Sequence, residues 1–322
     1  MNFVQKLMLG LTVATLLFAS QRSFAYEEDT HFLLTYVICR SAGFTDAEAL
    51  TVAAVDQGMD DSSHTVANGG TGGVIPNVPQ ESRWHALDKD GKMGPKGIIK
   101  RKDELFSIAL KRATPEEKLI YLGVFYHYQQ DTWAHRHHYD GDVHSYDSYT
   151  TYNTPFGHAR HGHQPDRPPF DPVTAVLNLE DGIGYATRFL KEGLGRQPNA
   201  FLANYRPTGG KQDDGWNDNR KGKYFHQLAI SGAPGSATRY LADLIRAQVN
   251  AYTSSIDANP FFLGRYTANE LAFDKARSAF QAVCTGAKSS LGEEITIPSH
   301  QDKVKQGFTG ITEQQISAAL PN

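Results

Sequence analysis

The sequence predicts a mostly α protein, a single all-helical domain with long site-forming loops. Six stretches carry helical apolar spacing with recognisable start or stop residues, and the Val/Ile-rich alternation that marks strands is nearly absent. The composition, 40% hydrophobic and 21% charged, is that of an ordinary globular chain and excludes wholesale disorder and fibrous architectures. No internal repeat divides the 322 residues, so they read as a leader followed by one domain over residues 26–322.

Residues 1–25 have the form of a signal peptide. Lys6 is followed by an apolar run over residues 7–19, and Ser23 and Ala25 are small residues at the −3 and −1 positions of a cleavage site. The apolar run is 13 residues long, and a bilayer span needs about 20. The mature chain is therefore expected to begin at Tyr26 and to be periplasmic or secreted. Loss of Lys6 and Arg22 takes the formal charge from −3 to −5, which excludes a broad polyanion-binding surface and any stable nucleic-acid partner of that kind.

Residues 31–42 form the first mature helix, with Asp29 and Thr30 as candidate caps and Gly43 as its stop. Thr45 and Glu48 form a capping box for a second helix that runs past Asp56 towards Gly58. Thr114, Pro115 and Glu117 open a third over residues 115–135. Residues 176–193, 236–254 and 267–286 complete the set. Between them, residues 62–100, 139–172 and 196–234 are Gly-, Pro-, Asp- and Asn-rich loops longer than a compact domain usually tolerates, and such loops tend to be functional or disordered. Cys39 and Cys284 are the two cysteines. In an oxidising compartment they read either as a disulfide tying the first helix to the last or as two buried thiols, and spacing does not choose between these.

Histidine is the unusual residue. Of 13 in the chain, eight fall between His127 and His163. His127, Asp131 and His135 stand at i, i+4 and i+8, which stacks them on one helical face, continuing an apolar stripe through Ile120 and Val124. A carboxylate carried into a core needs partners. Zinc would satisfy all three, because it accepts imidazole nitrogen and carboxylate oxygen; a hydrogen-bonded row at a solvated helix end is the plainer reading. His31, Asp56, Asp60, His85 and His158 are dispersed around this helix.

The order His31, Asp60, His85, His127-x-x-x-Asp131, His135 or His137, then His158 resembles the zinc-dependent phospholipase C and S1/P1 nuclease superfamily. The resemblance covers roughly residues 26–170. It implies an exported, all-helical, phospholipase C/P1 nuclease-like fold holding two or three zinc ions. The family's helix motif begins His-Tyr with Asp fifth, as His127, Tyr128 and Asp131 do here. Its next His would be His137, whereas helical geometry favours His135. In the nuclease branch the mature N-terminal amine and a nearby His bind one ion, which here implies Tyr26 and His31. The last element departs from the pattern, since Gly162 stands four residues after His158 where the family has Glu or Asp; His161 or Asp166 could substitute.

The resemblance implies that His85 and His127 hold one ion, His31 and the Tyr26 amine another, and His135 with His158 the third. Asp131 would bridge two ions, and Asp60 or Asp56 would complete a shell or act as general base. The expected activity is hydrolysis of a phosphodiester by metal-activated water, phospholipase C-like, with transient contact at a membrane surface. The alternatives are an S1/P1-type nuclease or nucleotidase and a non-catalytic secreted metal-stabilised binding protein or toxin. Arg136, Arg160 and Arg167, interleaved with Tyr139, Tyr146, Tyr149 and Tyr152, suit a phosphodiester of either kind. The segments 168–170 and 260–263 offer candidate apolar lips for a lipid.

Overall fold

The computed structural model describes residues 28–61, 65, 82–88, 93–135, 151, 168, 172–203, 205, 232–253 and 265–302. A π-helical segment, Asp29–Leu34, leads into α1 (Thr35–Ala42). There follow α2 (Asp46–Asp61), α3 (Gly94–Lys111), α4 (Pro115–Ala134), α5 (Pro172–Glu192), the short α6 (Ala200–Ala203), α7 (Ala237–Thr253), α8 (Arg265–Gly286) and the short α9 (Lys288–Leu291). No strand occurs among the described residues, so the fold is all-α.

Local chemistry explains most of these boundaries. Thr114 caps α4 by accepting from the Glu117 amide while Glu117 accepts from the Thr114 amide, the reciprocal box expected from Thr-Pro-Glu-Glu. Thr45 and Glu48 make the same exchange at the start of α2. Gly43 ends α1 with a φ of 113°, a left-handed conformation that glycine adopts without a Cβ penalty. Helix α2 passes Gly58 and carries Asp60 and Asp61 in its last turn.

Two segments differ from expectation. Residues 94–111 are helical, although the sequence reading assigned no helix there and placed residues 94–100 inside a long loop. The start of α3 has no adjacent Ser, Thr, Asp or Asn. Its cap comes from Asp88, whose carboxylate accepts from the Met93 and Gly94 amides at 2.7 and 3.0 Å. Asp29 and Thr30 are not caps: both are buried in the π-helical segment, where Gln248 Nε2 donates to Asp29 Oδ2 and Thr30 Oγ1, each at 2.7 Å. Cys39 and Cys284 are buried free thiols, which corrects the disulfide reading; Cys284 Sγ lies 3.6 Å from the Tyr240 hydroxyl instead.

Helix α4 is the centre of the packing. Every residue from Tyr121 to Ala134 is buried, because α2, α3 and α5 cover it from different sides. Phe106 of α3 stacks on Phe125 with ring centroids 4.9 Å apart, and Tyr126 donates to the Gly182 carbonyl of α5 at 2.7 Å. Helices α7 and α8 pack as a pair, with Phe273 of α8 stacked on Phe32 of the π-helical segment at 6.3 Å. One apolar cluster runs through these helices.

The α2–α4 contact is closest at Gly123. A Cβ there would stand 2.6 Å from Val55 Cβ and 2.7 Å from the Val52 carbonyl. The carbonyl is backbone and cannot rotate away. Gly123→Ala gains about 1 kcal/mol of helix propensity but overpacks the crossing, at about 1–3 kcal/mol or more. The variant is expected to melt several degrees below wild type by calorimetry; an unchanged or raised Tm would show that the two helices can separate.

Candidate metal centre

Three helical elements and one turn converge on a buried polar cluster. The π-helical segment brings His31, α2 brings Asp56 and Asp60, α4 brings His127 and Asp131, and the turn after residues 82–84 brings His85. All six residues are 0–1% exposed. The i, i+4 spacing of Asp56 with Asp60 and of His127 with Asp131 gives each helix one face to present, and the crossing at Gly123 sets those faces against each other.

His85 Nδ1, His127 Nε2, Asp60 Oδ1 and Asp131 Oδ2 lie close together. His85 Nδ1 lies 3.1 Å from His127 Nε2, 3.5 Å from Asp60 Oδ1 and 3.3 Å from Asp131 Oδ2. His127 Nε2 lies 3.7 Å from Asp60 Oδ1 and 3.5 Å from Asp131 Oδ2. A tetrahedron with zinc–ligand bonds of 2.0–2.2 Å has edges of about 3.3–3.6 Å, so these separations have the span of a four-coordinate zinc site. The other oxygens of the same two carboxylates face His31, whose Nε2 is 3.5 Å from Asp60 Oδ2 and 3.6 Å from Asp131 Oδ1. Both carboxylates thus lie between a His85–His127 side and a His31 side. The triads His31–His127–Asp131 and Asp60–His85–His127 each place their ligating atoms within 4.8 Å of one another.

The outward nitrogens of His85 and His135 are held by backbone acceptors. His85 Nε2 is 2.9 Å from the Thr65 carbonyl, and His135 Nδ1 is 2.6 Å from the His85 carbonyl. A carbonyl only accepts, so each of these nitrogens carries the proton, and in the neutral ring the other nitrogen presents a lone pair. His31 Nδ1 is 2.9 Å from Asp56 Oδ1. This is the arrangement by which metal-binding histidines are oriented.

A family of unknown function, DUF6765, matches residues 26–92, which include His31, Asp56, Asp60 and His85 but stop short of His127 and Asp131. No curated protein and no solved structure matches the chain.

The structure brings together His31, Asp56, Asp60, His85, His127 and Asp131, and places His135 beside them through the His85 carbonyl. Asp56 lies against the Nδ1 atoms of His31 and His127, at 2.9 and 3.4 Å from its Oδ1, with the Thr35 hydroxyl donating to its Oδ2 at 2.6 Å. His31 stands against His127, ring centroids 4.5 Å apart, so the His31 side adjoins the His127 side directly. Tyr26, His137, His158, His161 and Asp166 lie outside the described residues, as do Arg136, Arg160, Arg167 and the four loop tyrosines. Sequence reasoning missed Thr35 and Gln130. The spacing of four from His31 to Thr35 was the available signal, but threonine in an apolar helix is usually unremarkable.

Three carboxylates buried this deeply need cations. Burial opposes protonation of His31, yet Asp56, with Asp60 and Asp131 beyond it, lifts its pKa from 6.5 to about 10. Burial raises the Asp56 carboxyl from 3.8 to about 6, against the pull of His31 and Thr35. Burial, reinforced by His31, His85 and His135, holds His127 well below the ordinary imidazole value. A cation on the His31 side therefore displaces a proton at neutral pH, and metal affinity on that side rises with pH towards about 10, where His31 loses its proton unaided. Zinc titration calorimetry at pH 7.5 in buffers of different ionisation heat is expected to show at least one proton released per chain. Release of none would mean that His31 is neutral before the metal arrives.

Proposed function

We propose that this chain is an exported zinc-dependent phosphodiesterase, phospholipase C-like in its chemistry, with its metal ions held by His31, Asp60, His85, His127 and Asp131. The observation that carries the reading is the set of five separations, 3.1–3.7 Å, that link two buried imidazole nitrogens to each other and to two carboxylate oxygens. The donor set agrees with it: imidazole and carboxylate suit zinc, and their buried charge calls for a cation. Bound zinc would lower the pKa of a coordinated water to near 7 and engage the non-bridging oxygens of a phosphodiester.

Within this reading each residue has a role its position supports. Asp131 and Asp60 each offer one oxygen to the His85–His127 side and one to the His31 side, which is how a carboxylate links two ions. Asp60 is placed to complete a metal shell, and Asp60 or Asp56 would serve as the general base. Asp56 orients His31. His135 is turned by the His85 carbonyl and, with His158, remains the proposed pair for a third ion. The charge of −5 without residues 1–25 favours a compact headgroup phosphodiester over a long polyanion. No helix among the described residues is long and apolar enough to cross a membrane, so any lipid would be met at a surface.

The test is metal content by elemental mass spectrometry on protein purified without chelator or tag, followed by turnover of phosphatidylcholine and of single-stranded nucleic acid. Two or three zinc per chain with lipid hydrolysis is expected, and His127→Ala or Asp131→Ala should lose at least one ion and all detectable turnover. Full activity in either variant would sink the assignment. Bound zinc with no turnover on any phosphodiester would instead establish a metal-stabilised binding protein.

A further inference from the structure

We propose that Gln130, Thr35 and Asp56 form a positioning chain that fixes the His31 imidazole with Nδ1 protonated, and that this chain decides whether the His31 side of the centre binds a metal ion. The proposal rests on the reading of this cluster as a metal centre and adds how one half of it is set. Gln130 Nε2 lies 2.5 Å from Thr35 Oγ1, Thr35 Oγ1 lies 2.6 Å from Asp56 Oδ2, and Asp56 Oδ1 lies 2.9 Å from His31 Nδ1. All four side chains are fully buried.

The chain has one polarity. The Gln130 amide nitrogen only donates, so it occupies the acceptor side of the Thr35 hydroxyl and sends that proton to Asp56. Asp56 meets His31 as an ion pair through Oδ1 and Nδ1, and a carboxylate only accepts, so the proton it stabilises is the one on His31 Nδ1. Nε2 is then the nitrogen turned towards Asp60 and Asp131, at 3.5 and 3.6 Å. Hydrogen bonds aligned in this way reinforce one another in a low-dielectric interior.

His31 differs here from its neighbours. His85 and His135 are oriented by backbone carbonyls, which no substitution removes. His31 depends on side chains from α1, α2 and α4, so its orientation is stable only once those helices have assembled. Asp56 Oδ1 also lies 3.4 Å from His127 Nδ1, but its closer contact is with His31, so the His31 side should depend on the chain more than the His85–His127 side does.

Stepwise titration of the metal-free full-length protein with cobalt(II), followed by visible absorption, tests this. Wild type is expected to take up at least two equivalents. Thr35→Val, which keeps the shape and removes the hydroxyl, should keep the first equivalent and weaken a later one by about 10–100-fold, the usual effect of losing an orienting partner. Thr35→Ser should restore it. Asp56→Asn, whose amide can donate to Nδ1 and reverse the tautomer, should lose the same equivalent. Melting in excess chelator separates folding from binding, and the selective loss should appear in variants that melt as wild type does. Wild-type affinity for every equivalent in both Thr35→Val and Asp56→Asn would overturn the proposal, as would equal weakening of all equivalents with no rescue by serine. A wild-type protein that takes up fewer than two equivalents would overturn the underlying two-sided centre instead.

Discussion

Helices α2 and α4 can approach as closely as they do because residue 123 has no side chain. Val52 and Val55 occupy the space a Cβ would need. One turn beyond that crossing on each helix stand the paired polar residues, Asp56 and Asp60 on one and His127 and Asp131 on the other. Interiors are packed too densely to absorb an added methyl without movement, so helix spacing and site geometry are one constraint. A shift of an ångström between these helices would carry the separations at the centre out of the range a zinc ion can span.

The centre also shows how a buried polar cluster holds its shape. Its charged atoms face inward, and the outward atoms are anchored by groups that belong to the fold: the Thr65 and His85 carbonyls, the Thr35 hydroxyl and the Gln130 amide. The turn that delivers His85 contains Ala86 at a φ of 50°, a left-handed conformation rare for a residue with a Cβ. Such strain persists where surrounding structure over-determines it and is concentrated at functional sites. Here the same turn supplies the His85 imidazole of the polar cluster and the carbonyl that orients His135. The π-helical segment has a comparable part, since the buried Gln248 holds Asp29 and Thr30, the two residues just before His31.

Part of this was readable from local pattern. The capping boxes at Thr45 and Thr114 are written within four residues each, and the structure has both. The spacing of His127 and Asp131 places them on one face of any helix, whatever surrounds it. Helix α3 as a whole was missed; its cap, Asp88, lies outside the window in which capping residues are sought. The cysteines were left between two readings for a related reason: pairing is a distance between α1 and α8, and a sequence holds no such distance.

The sequence by itself determined the helical class, the helix starts that carry their own caps, and the residue types of the centre. These follow from interactions between residues three or four apart, which a helix brings together unaided. Tertiary structure alone decided that Asp60 and Asp131 each face two imidazole groups, that Asp56 lies against His31 and His127, and that Thr35 and Gln130 matter at all. The long-range members of that set join residues 21 to 100 positions apart, and the close crossing of α2 and α4 helps bring them within reach of one another.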